Sequence, residues 1–533
     1  MTHRTRADPL RRRFSEAPVF AAWKNRLGRR DFLRRVAALL GAPGLTWDLV
    51  GSAGLLAGAS QSARAGGLDG GGHAASESTR PPPKQDTQET LRLAEYAAAV
   101  HYDNLPPAVV QRAKDCITDT VATIIQGADL PSSRIIIAYA RRYGTPGNSW
   151  ILGAGGPPLH APAAALANGA LAHAFELDNL TRPDSGSHPG ATLFCPALAV
   201  AQERGLGGRE LIAAFVAGAE VMIRIGRATK HSNEARGFHA PGTTGPFGAA
   251  VAVCRLIGLD ATATTNALGI AGSLAAGLLE FAHSGNGAMV KRLHLGRAAE
   301  SGVLAASLAA DGFTGPSTVL EGKFGFLRVF CNEWDQAELT QGLGEIYLTQ
   351  TILMKRFACH ITAHAPVEAV FDLQKEQRFA GSQVAAIQVV GNARMATINN
   401  IPRPADLLMA QYSIPFCVAL ALFRDPRDPQ SFDDAALRDP EIASLAERVS
   451  MSVADGQSPL NLASTVTVTL SNGQVLTRRI VDFKGTPERP FDTDELRAKF
   501  LLLTRRADAG KMQEMFTRLQ NIEHERDLSW LKL

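Results

Sequence analysis

The chain has 533 residues, of which 45% are hydrophobic and 20% are charged, as expected for a globular protein large enough for two or more domains. Its net charge of +4 arises in residues 1–65, which contain 12 Lys or Arg and 4 Asp or Glu, and the remainder contains 43 basic and 47 acidic residues. The body of the protein is therefore slightly acidic, which argues against a nucleic-acid-binding surface.

Residues 1–65 predict an export signal. The pair Arg29-Arg30 is followed by Phe32-Leu33, a weakly hydrophobic run from Val36 to Ala59, and the small-x-small cleavage pattern Ala63-Arg64-Ala65. This order is typical of the twin-arginine route to the periplasm. The apolar run is too short and too mixed to predict a stable membrane span, although an uncleaved leader would tether the chain. The Gly-, Ser- and Pro-rich residues 66–90 predict a flexible linker.

The next part of the chain, from Leu91 to about Gln350, has an overwhelmingly helical pattern. Pro106-Pro107 opens a helix that ends at Gly127, and abundant Ala and Gly favour close packing of helices into a bundle. Further helices are predicted over 132–142, 161–176, 192–203, 208–226, 245–257, 260–281, 296–310 and 336–344.

The pattern changes from about Val384, where β-branched residues begin to alternate. Strands are predicted at 384–390, 464–470 and 474–481, the last two joined by an Asn472-Gly473 turn. Helices are predicted near 361–377 and 406–423, and Asp492 or Thr493 caps a helix that runs to Leu503. The fold class is therefore mainly α, with a large helical domain over 91–353, completed by 487–533, and a smaller α+β domain over 354–486.

Four short segments concentrate polar side chains in an otherwise apolar sequence. They contain His173, Glu176, Asp178 and His188; His239; Lys291 and His294; and Lys355, Arg356 and His360. Lys and Arg side chains suit a substrate that carries several carboxylates, and His can exchange a proton near neutral pH. We therefore predict a carboxylate-binding active site built from these segments.

Within that site, His188 is the predicted general acid/base, assisted by Glu176 or Asp178, while His173 is a structural partner. Lys291 and His239 stabilise developing negative charge, and Lys355 binds a carboxylate. A mixed metal site formed by His173, Glu176, Asp178 and His188 is the competing interpretation, but the chain lacks HExxH and CxxC motifs, so no metal is predicted.

Over residues 90–505 the chain resembles the MmgE/PrpD family, which includes 2-methylcitrate dehydratase and cis-aconitate decarboxylase. The resemblance lies in several co-linear motifs: HAFELDN…HPG, GFHAPGTTGPFGAA, GAMVKRLHLG, EGKFGF, KRFACH, AQYSIPF and FKGTPERPFDTDELRAKF. It implies a helical domain with an α+β lid, a homodimer, and no metal or organic cofactor. It also implies a pocket lined by Glu176, His188, His239, Lys291, Lys355 and His360. We count His294 and Arg356, which stand in the same motifs, among the predicted substrate-binding residues.

The leading functional hypothesis is a cofactor-independent lyase, most simply a dehydratase acting on a small di- or tricarboxylic acid such as 2-methylcitrate. Asp178-Asn179-Leu180 departs from the Asp-Asp-Thr type run of many family members, so the substrate itself stays open. The alternatives are an epimerase, isomerase or decarboxylase of a related acid, and a non-catalytic periplasmic carboxylate-binding protein.

Overall fold

The computed structural model of the chain describes residues 88–533, apart from 182–184, 283 and 285–287. The predicted export signal and all but the last three residues of the predicted linker lie outside the described residues. All of the described residues belong to one compact unit.

Helices account for most of the described chain, which confirms the predicted mainly α fold class. In chain order they are α1 Glu89–Ala99, α2 Pro107–Gly127, α3 Pro131–Tyr143, α4 Ala161–Ala172, α5 Cys195–Arg204, α6 Gly208–Ala228, α7 Ser232–Ala235, α8 Ala240–Ile257, α9 Ala261–Leu274, α10 Val290–Ala310, α11 Phe326–Phe330, α12 His364–Gln377, α13 Ala393–Thr397, α14 Leu407–Tyr412, α15 Ile414–Phe423, α16 Asp434–Leu437, α17 Pro440–Glu447, α18 Thr493–Leu503 and α19 Ala509–Gln520.

Shorter turns join these elements. A π-helical turn over Gly190–Phe194 leads into α5. The 3₁₀ turns are Tyr102–Asn104, Leu279–Ala282, Gln336–Leu339, Leu348–Thr351, Ile361–Ala363, Gly381–Gln383, Pro429–Ser431 and Ile522–His524. No described helix has the length and apolar character needed to cross a bilayer.

Helix α8 lies at the centre of the helical part, which comprises α1 to α11 with α18 and α19. It packs on α6, α9 and α10, and α10 packs in turn on α4. Small residues allow these close approaches: a Cβ atom at Gly302 on α10 would collide with Ala249 on α8. The Ala- and Gly-rich pattern thus forms the tight bundle that its composition predicts.

Several predicted helix ends were wrong. The helix predicted over 161–176 ends at Ala172, and Glu176 takes a left-handed φ of 56°. The one predicted from 245 begins at Ala240, because Pro241 is well suited to a first helical turn. The helix predicted over 406–423 is broken at Ser413, whose hydroxyl accepts a hydrogen bond from the N–H of Phe416.

Three other predicted helices also differ in extent. The helix predicted over 260–281 stops at Leu274, and the one predicted over 296–310 already begins at Val290. The segment predicted as a helix over 336–344 forms only the 3₁₀ turn Gln336–Leu339. Weak sequence signals at these ends were therefore overridden by tertiary packing.

The α+β part comprises α12 to α17 with strands β2 to β5. A separate short strand, β1 Pro146–Ser149, lies in the helical part, and the sheet strands are β2 Val384–Gly391, β3 Val449–Val453, β4 Ser464–Leu470 and β5 Val475–Ile480. The sheet order is β3-β2-β4-β5. Strands β2 and β3 are parallel, with Ile387 opposite Val449, and the other two pairs are antiparallel.

The sheet confirms the predicted hairpin. Gly473 takes a left-handed φ of 88° in the turn between β4 and β5, and its N–H donates to the carbonyl of Leu470. Strand β4 alternates buried and half-buried residues, and helix α12 packs on β4 and β5. Strand β3 was not predicted.

The C-terminal helices return to the helical part. Asp492 caps α18 by accepting from the N–H of Glu495, as predicted, and α18 packs on α2. Lys499 on α18 bonds to the buried carboxylate of Asp119, and Lys114 bonds to Glu523 at 2.8 Å. These ion pairs fix the end of the chain against α2.

Candidate active site

A cavity of about 290 Å³ lies where the α+β part meets the helical part. Six of the residues that line it were predicted from sequence as site residues: Glu176, His188, His239, Lys291, Lys355 and His360. They come from separate places in the chain, including the turn after α4, the N-cap of α8, the first turn of α10 and the segment before α12. The structure thus brings the polar segments of the sequence together.

Glu176 is the centre of the charged part of the cavity. Its side chain is buried and contacts the Nζ of Lys291, the guanidinium of Arg292 at 2.7 Å and the Nζ of Lys355 at 3.0 Å. Burial by itself raises the pKa of Glu176, but these three cations outweigh it and hold the pKa well below its usual range. Glu176 is therefore a carboxylate at neutral pH, a state that favours the role of counter-ion over that of proton donor.

The three cations exceed the charge of the one carboxylate that they share. Lys291 also lies over the ring of Tyr412, with 4.7 Å from Nζ to the ring centroid. Burial lowers the pKa of Lys291 to about 7. The neighbouring cations Arg292 and Lys355 also lower it, whereas Glu176 raises it. The cluster thus offers surplus positive charge to a ligand that carries carboxylates.

Asp178 joins the two imidazoles of the first segment. Its Oδ1 lies 2.9 Å from Nδ1 of His173, and its Oδ2 lies 2.7 Å from Nδ1 of His188. All three residues are buried. Burial lowers the pKa of His173 to about 3, so His173 is neutral. Although burial raises the pKa of Asp178, the two imidazoles hold it well below its usual range.

This arrangement directs the charge of Asp178 towards His188. Since His173 stays neutral, it leaves the negative charge of Asp178 uncompensated, and Oδ2 of that carboxylate lies 2.7 Å from Nδ1 of His188. The Nδ1 atom of His188 is used by Asp178, which leaves Nε2 as the nitrogen that can exchange a proton with a ligand. A carboxylate-oriented imidazole of this kind suits general acid/base chemistry.

The same three residues are the described group that most resembles a metal site, since their ligand atoms lie within 4.8 Å of one another. However, the Nδ1–O distances of 2.7 and 2.9 Å are those of direct hydrogen bonds. The proton on each Nδ1 therefore lies between that nitrogen and an Asp178 oxygen, which is the position that a metal ion bound by both atoms would need. The donor set fits a hydrogen-bonded pair of imidazoles better than a metal.

A second pair of imidazoles lies beside the first. Nδ1 of His239 is 3.0 Å from Nδ1 of His294, and the rings of His173 and His239 are 6.3 Å apart. Burial lowers the pKa of His294 to about 4 and, together with Lys291, holds that of His239 well below its usual range. Both rings are neutral at pH 7, so one Nδ1 donates a hydrogen bond and the other accepts it.

The remaining predicted substrate-binding residues are placed differently. His360 lines the cavity, accepts or donates a hydrogen bond with Thr362 at 2.8 Å and packs on the ring of Tyr412. His294 reaches the cavity through its contact with His239 rather than as a lining residue. Arg356 is not among the lining residues, and its guanidinium lies 3.8 Å from Glu368 and over the ring of Phe371.

Other lining residues escaped the sequence analysis. Tyr412 is buried and lies in the AQYSIPF motif, so that motif could have identified it. Burial and the nearby Glu176 raise the pKa of Tyr412, which keeps it a neutral phenol that can donate a hydrogen bond. His231, Glu234 and Arg394 also line the cavity, and the sequence carried no signal for them.

Comparison with known proteins gives matches along most of the chain. The MmgE/PrpD N-terminal domain matches residues 91–339, and the MmgE/PrpD C-terminal domain matches residues 357–522. A cis-aconitate decarboxylase from Aspergillus terreus is 28% identical over 470 residues, which is 83% of this chain and 94% of that relative. The human cis-aconitate decarboxylase is 28% identical over 458 residues, covering 82% and 92%. A cis-aconitate decarboxylase-like protein of Aspergillus oryzae is 27% identical over 484 residues, covering 83% and 96%.

Proposed function

Because this chain belongs to the MmgE/PrpD family, we propose that its cavity is the active site of a lyase that removes CO₂ from a small unsaturated tricarboxylic acid such as cis-aconitate. The observation that carries the proposal is the surplus of cations around Glu176, next to an imidazole that Asp178 orients. The sequence alone favoured a dehydratase. Decarboxylation was one of the alternatives, and the names of the relatives now favour it over dehydration.

Binding is the first step of the proposed mechanism. Substrate carboxylates pair with the ammonium groups of Lys291 and Lys355, whose charge Glu176 neutralises only in part. Tyr412 donates a hydrogen bond from its phenol. Because these groups are buried, their attraction for an anion is stronger than it would be in water.

The chemical step breaks one carbon–carbon bond and forms one carbon–hydrogen bond. The bond between a carboxylate and the methylene next to the double bond breaks, and CO₂ leaves. The electron pair of the broken bond stays on the substrate and spreads over the allyl unit towards a second carboxylate. Lys291 and Lys355 stabilise that negative charge. Protonated His188 then delivers a proton to the far allylic carbon, the double bond shifts, and Asp178 holds the imidazolium until that transfer.

Dehydration of a hydroxy acid is the second candidate, and the lowered pKa of Lys291 favours it. An ammonium group with a pKa of about 7 can give its proton to a departing hydroxyl, while neutral His188 removes the proton beside a carboxylate. Both reactions use the ammonium form of Lys291, but decarboxylation needs a protonated His188 and dehydration a neutral one.

Proton and carbon NMR of the purified protein with cis-aconitate, citrate and 2-methylcitrate tests the proposal. We expect cis-aconitate to lose CO₂ and give a product with a terminal methylene, and His188→Asn to abolish this conversion. Loss of water from citrate or 2-methylcitrate without CO₂ release would instead support the dehydratase. Binding of all three acids with none converted would favour a carboxylate-binding protein over an enzyme.

We also propose export by the twin-arginine route and assembly as a homodimer. The support for export is the Arg29-Arg30 signal, and the support for a dimer is the family resemblance. Cell fractionation of the wild type and of the Arg29→Lys, Arg30→Lys double variant tests the first, with retention of the variant in the cytoplasm expected. Light scattering tests the second, and a monomer mass would contradict it.

A further inference from the structure

One cation in the cavity wall has a counter-ion of its own. Lys291, Arg292 and Lys355 all pair with Glu176, whereas Arg394 pairs with Glu234. Arg394 belongs to α13 in the α+β part, and Glu234 belongs to α7 in the helical part. The cations in and beside the cavity wall therefore form two groups, one around Glu176 and one at Glu234.

The guanidinium of Arg394 is held at one nitrogen. Its Nη1 lies 3.1 Å from Oε2 of Glu234. Its Nε atom is buried, and among the residues that the structure describes no acceptor reaches it. A buried donor without an acceptor is unfavourable, and a planar guanidinium is well suited to bind a carboxylate through two nitrogens. Arg394 lines the cavity with 28% of its side chain exposed, so its guanidinium can meet a ligand carboxylate there.

The chain takes a left-handed turn shortly before Glu234. Lys230 and His231 follow each other with φ values of 50° and 58°, which residues other than Gly adopt rarely. That turn places Nδ1 of His231 3.6 Å from Oε2 of Glu234, the oxygen that also contacts Arg394. His231 and Arg394 thus hold the Glu234 carboxylate from two directions.

We propose that Arg394 is a specificity-determining residue that binds one carboxylate of the substrate, so that the cavity selects a tricarboxylate over the dicarboxylate lacking that group. Lys291 and Lys355 bind the other carboxylates. Glu234 keeps Arg394 in place, and its negative charge repels anions that cannot compete with it for the Arg394 guanidinium. This proposal rests on the proposed function in one respect: the ligand is a polycarboxylate.

Calorimetric titration with two saturated acids, propane-1,2,3-tricarboxylate and glutarate, tests it without any reaction. Neither ligand has a double bond or a hydroxyl group, so neither can be turned over by a lyase. We expect Arg394→Gln to weaken binding of the tricarboxylate by about 10- to 100-fold, as for the loss of a charged hydrogen bond, and that of glutarate by less than about 3-fold. Equal weakening of both ligands, or of neither, would overturn the proposal.

Glu234→Gln provides a change of the opposite sign. It removes the negative charge that competes with the ligand for Arg394, so we expect several-fold tighter binding of the tricarboxylate. General damage to the fold would weaken binding and so cannot imitate the expected gain in affinity. If Glu234→Gln bound the tricarboxylate no more tightly than the wild type, the result would count against the proposal. This test remains available if Arg394→Gln fails to fold. The control is Arg403→Gln, which breaks an exposed pair with Glu447 and should alter neither affinity.

The titration and the NMR assay can fail separately. If no acid is converted but Arg394→Gln still loses affinity for the tricarboxylate selectively, the subsite stands and the lyase proposal falls. If cis-aconitate is converted but Arg394→Gln binds both acids as the wild type does, the subsite falls and the lyase proposal stands.

Discussion

The Nδ1 atom of His188 lies 2.7 Å from Oδ2 of Asp178, whose side chain has no exposed surface. The carboxylate also accepts from His173, whose lowered pKa keeps it neutral. The buried carboxylate of Asp178 therefore fixes the tautomer of His188, with the proton on Nδ1.

We expect Asp178→Asn to lower kcat by about 10²- to 10⁴-fold, the usual size of a general acid/base contribution. The amide keeps the shape of the side chain but neither carries charge nor fixes the His188 tautomer. The measurement is kcat by CO₂ release, with circular dichroism as the test of folding. Asp494→Asn, at an exposed position, is the control and should keep full activity. If Asp178→Asn kept the kcat of the wild type, that result would contradict the acid/base role assigned to His188.

The pH dependence of kcat/KM should follow Lys291. Because its pKa is lowered to about 7, Lys291 is a cation below that pH and neutral above it. A carboxylate substrate needs the cation, so kcat/KM should fall as the pH rises above about 7. Lys291→Arg keeps the charge at all these pH values and should reduce the fall, while Lys375→Arg on the surface should not. A flat wild-type profile from pH 6 to 9 would contradict this assignment.

Removal of the shared counter-ion should destabilise the fold. Glu176→Gln leaves three buried cations without their carboxylate, and we expect the free energy of unfolding to fall by about 3–5 kcal/mol. Urea denaturation measures this change. Propane-1,2,3-tricarboxylate should restore part of the loss, since it supplies negative charge to the same cations. The exposed pair partner Glu376→Gln should cost less than about 1 kcal/mol.

The contact between His239 and His294 should be visible as two different tautomers. Both rings are neutral at pH 7, and a hydrogen bond between two Nδ1 atoms requires one donor and one acceptor. Long-range ¹H–¹⁵N spectra of protein labelled at His should show one Nδ1–H ring and one Nε2–H ring. His294→Asn should remove the signals of one ring and shift those of the other. An imidazolium pattern for either ring at pH 7 would contradict the assignment.

Treatment with a chelator should leave the activity unchanged. The hydrogen bonds of Asp178 to His173 and His188 occupy the Nδ1 atoms of both rings and both oxygens of the carboxylate. The measurement is the rate of CO₂ release before and after dialysis against EDTA, together with elemental analysis. A loss of activity that stoichiometric zinc or iron restores would revive the metal interpretation of these residues.

Features fixed by local sequence were predicted well. The Asn472-Gly473 turn and the cap at Asp492 are signals within a few residues, and both occur as predicted. Strand β3 is short and pairs with β2, some 60 residues earlier in the chain, so its partner could not be read from its own five residues. Helix α4 was predicted to run to Glu176, whereas it ends at Ala172, and Glu176 takes a left-handed φ and pairs with cations distant in the chain.

The candidate site divides in the same way. Motif residues such as His188, Lys291 and His360 were identified because each lies in a recognisable segment, and the fold gathers them in one cavity. Arg394 and Glu234 are 160 residues apart and each looks like an ordinary surface charge in its own segment. Only the packing of the α+β part on the helical part brings the two together.

Glu176 neutralises cations from both sides of the cavity at once. Lys291 and Arg292 come from α10, while Lys355 comes from the segment that leads into the α+β part. A movement that took Lys355 away from Glu176 would break the ion pair between them. The open cavity then holds an uncompensated ammonium group, which an incoming acid can neutralise. Capture of the substrate and closure over it would be a single coupled equilibrium, and the acid would be selected on entry, before any bond breaks.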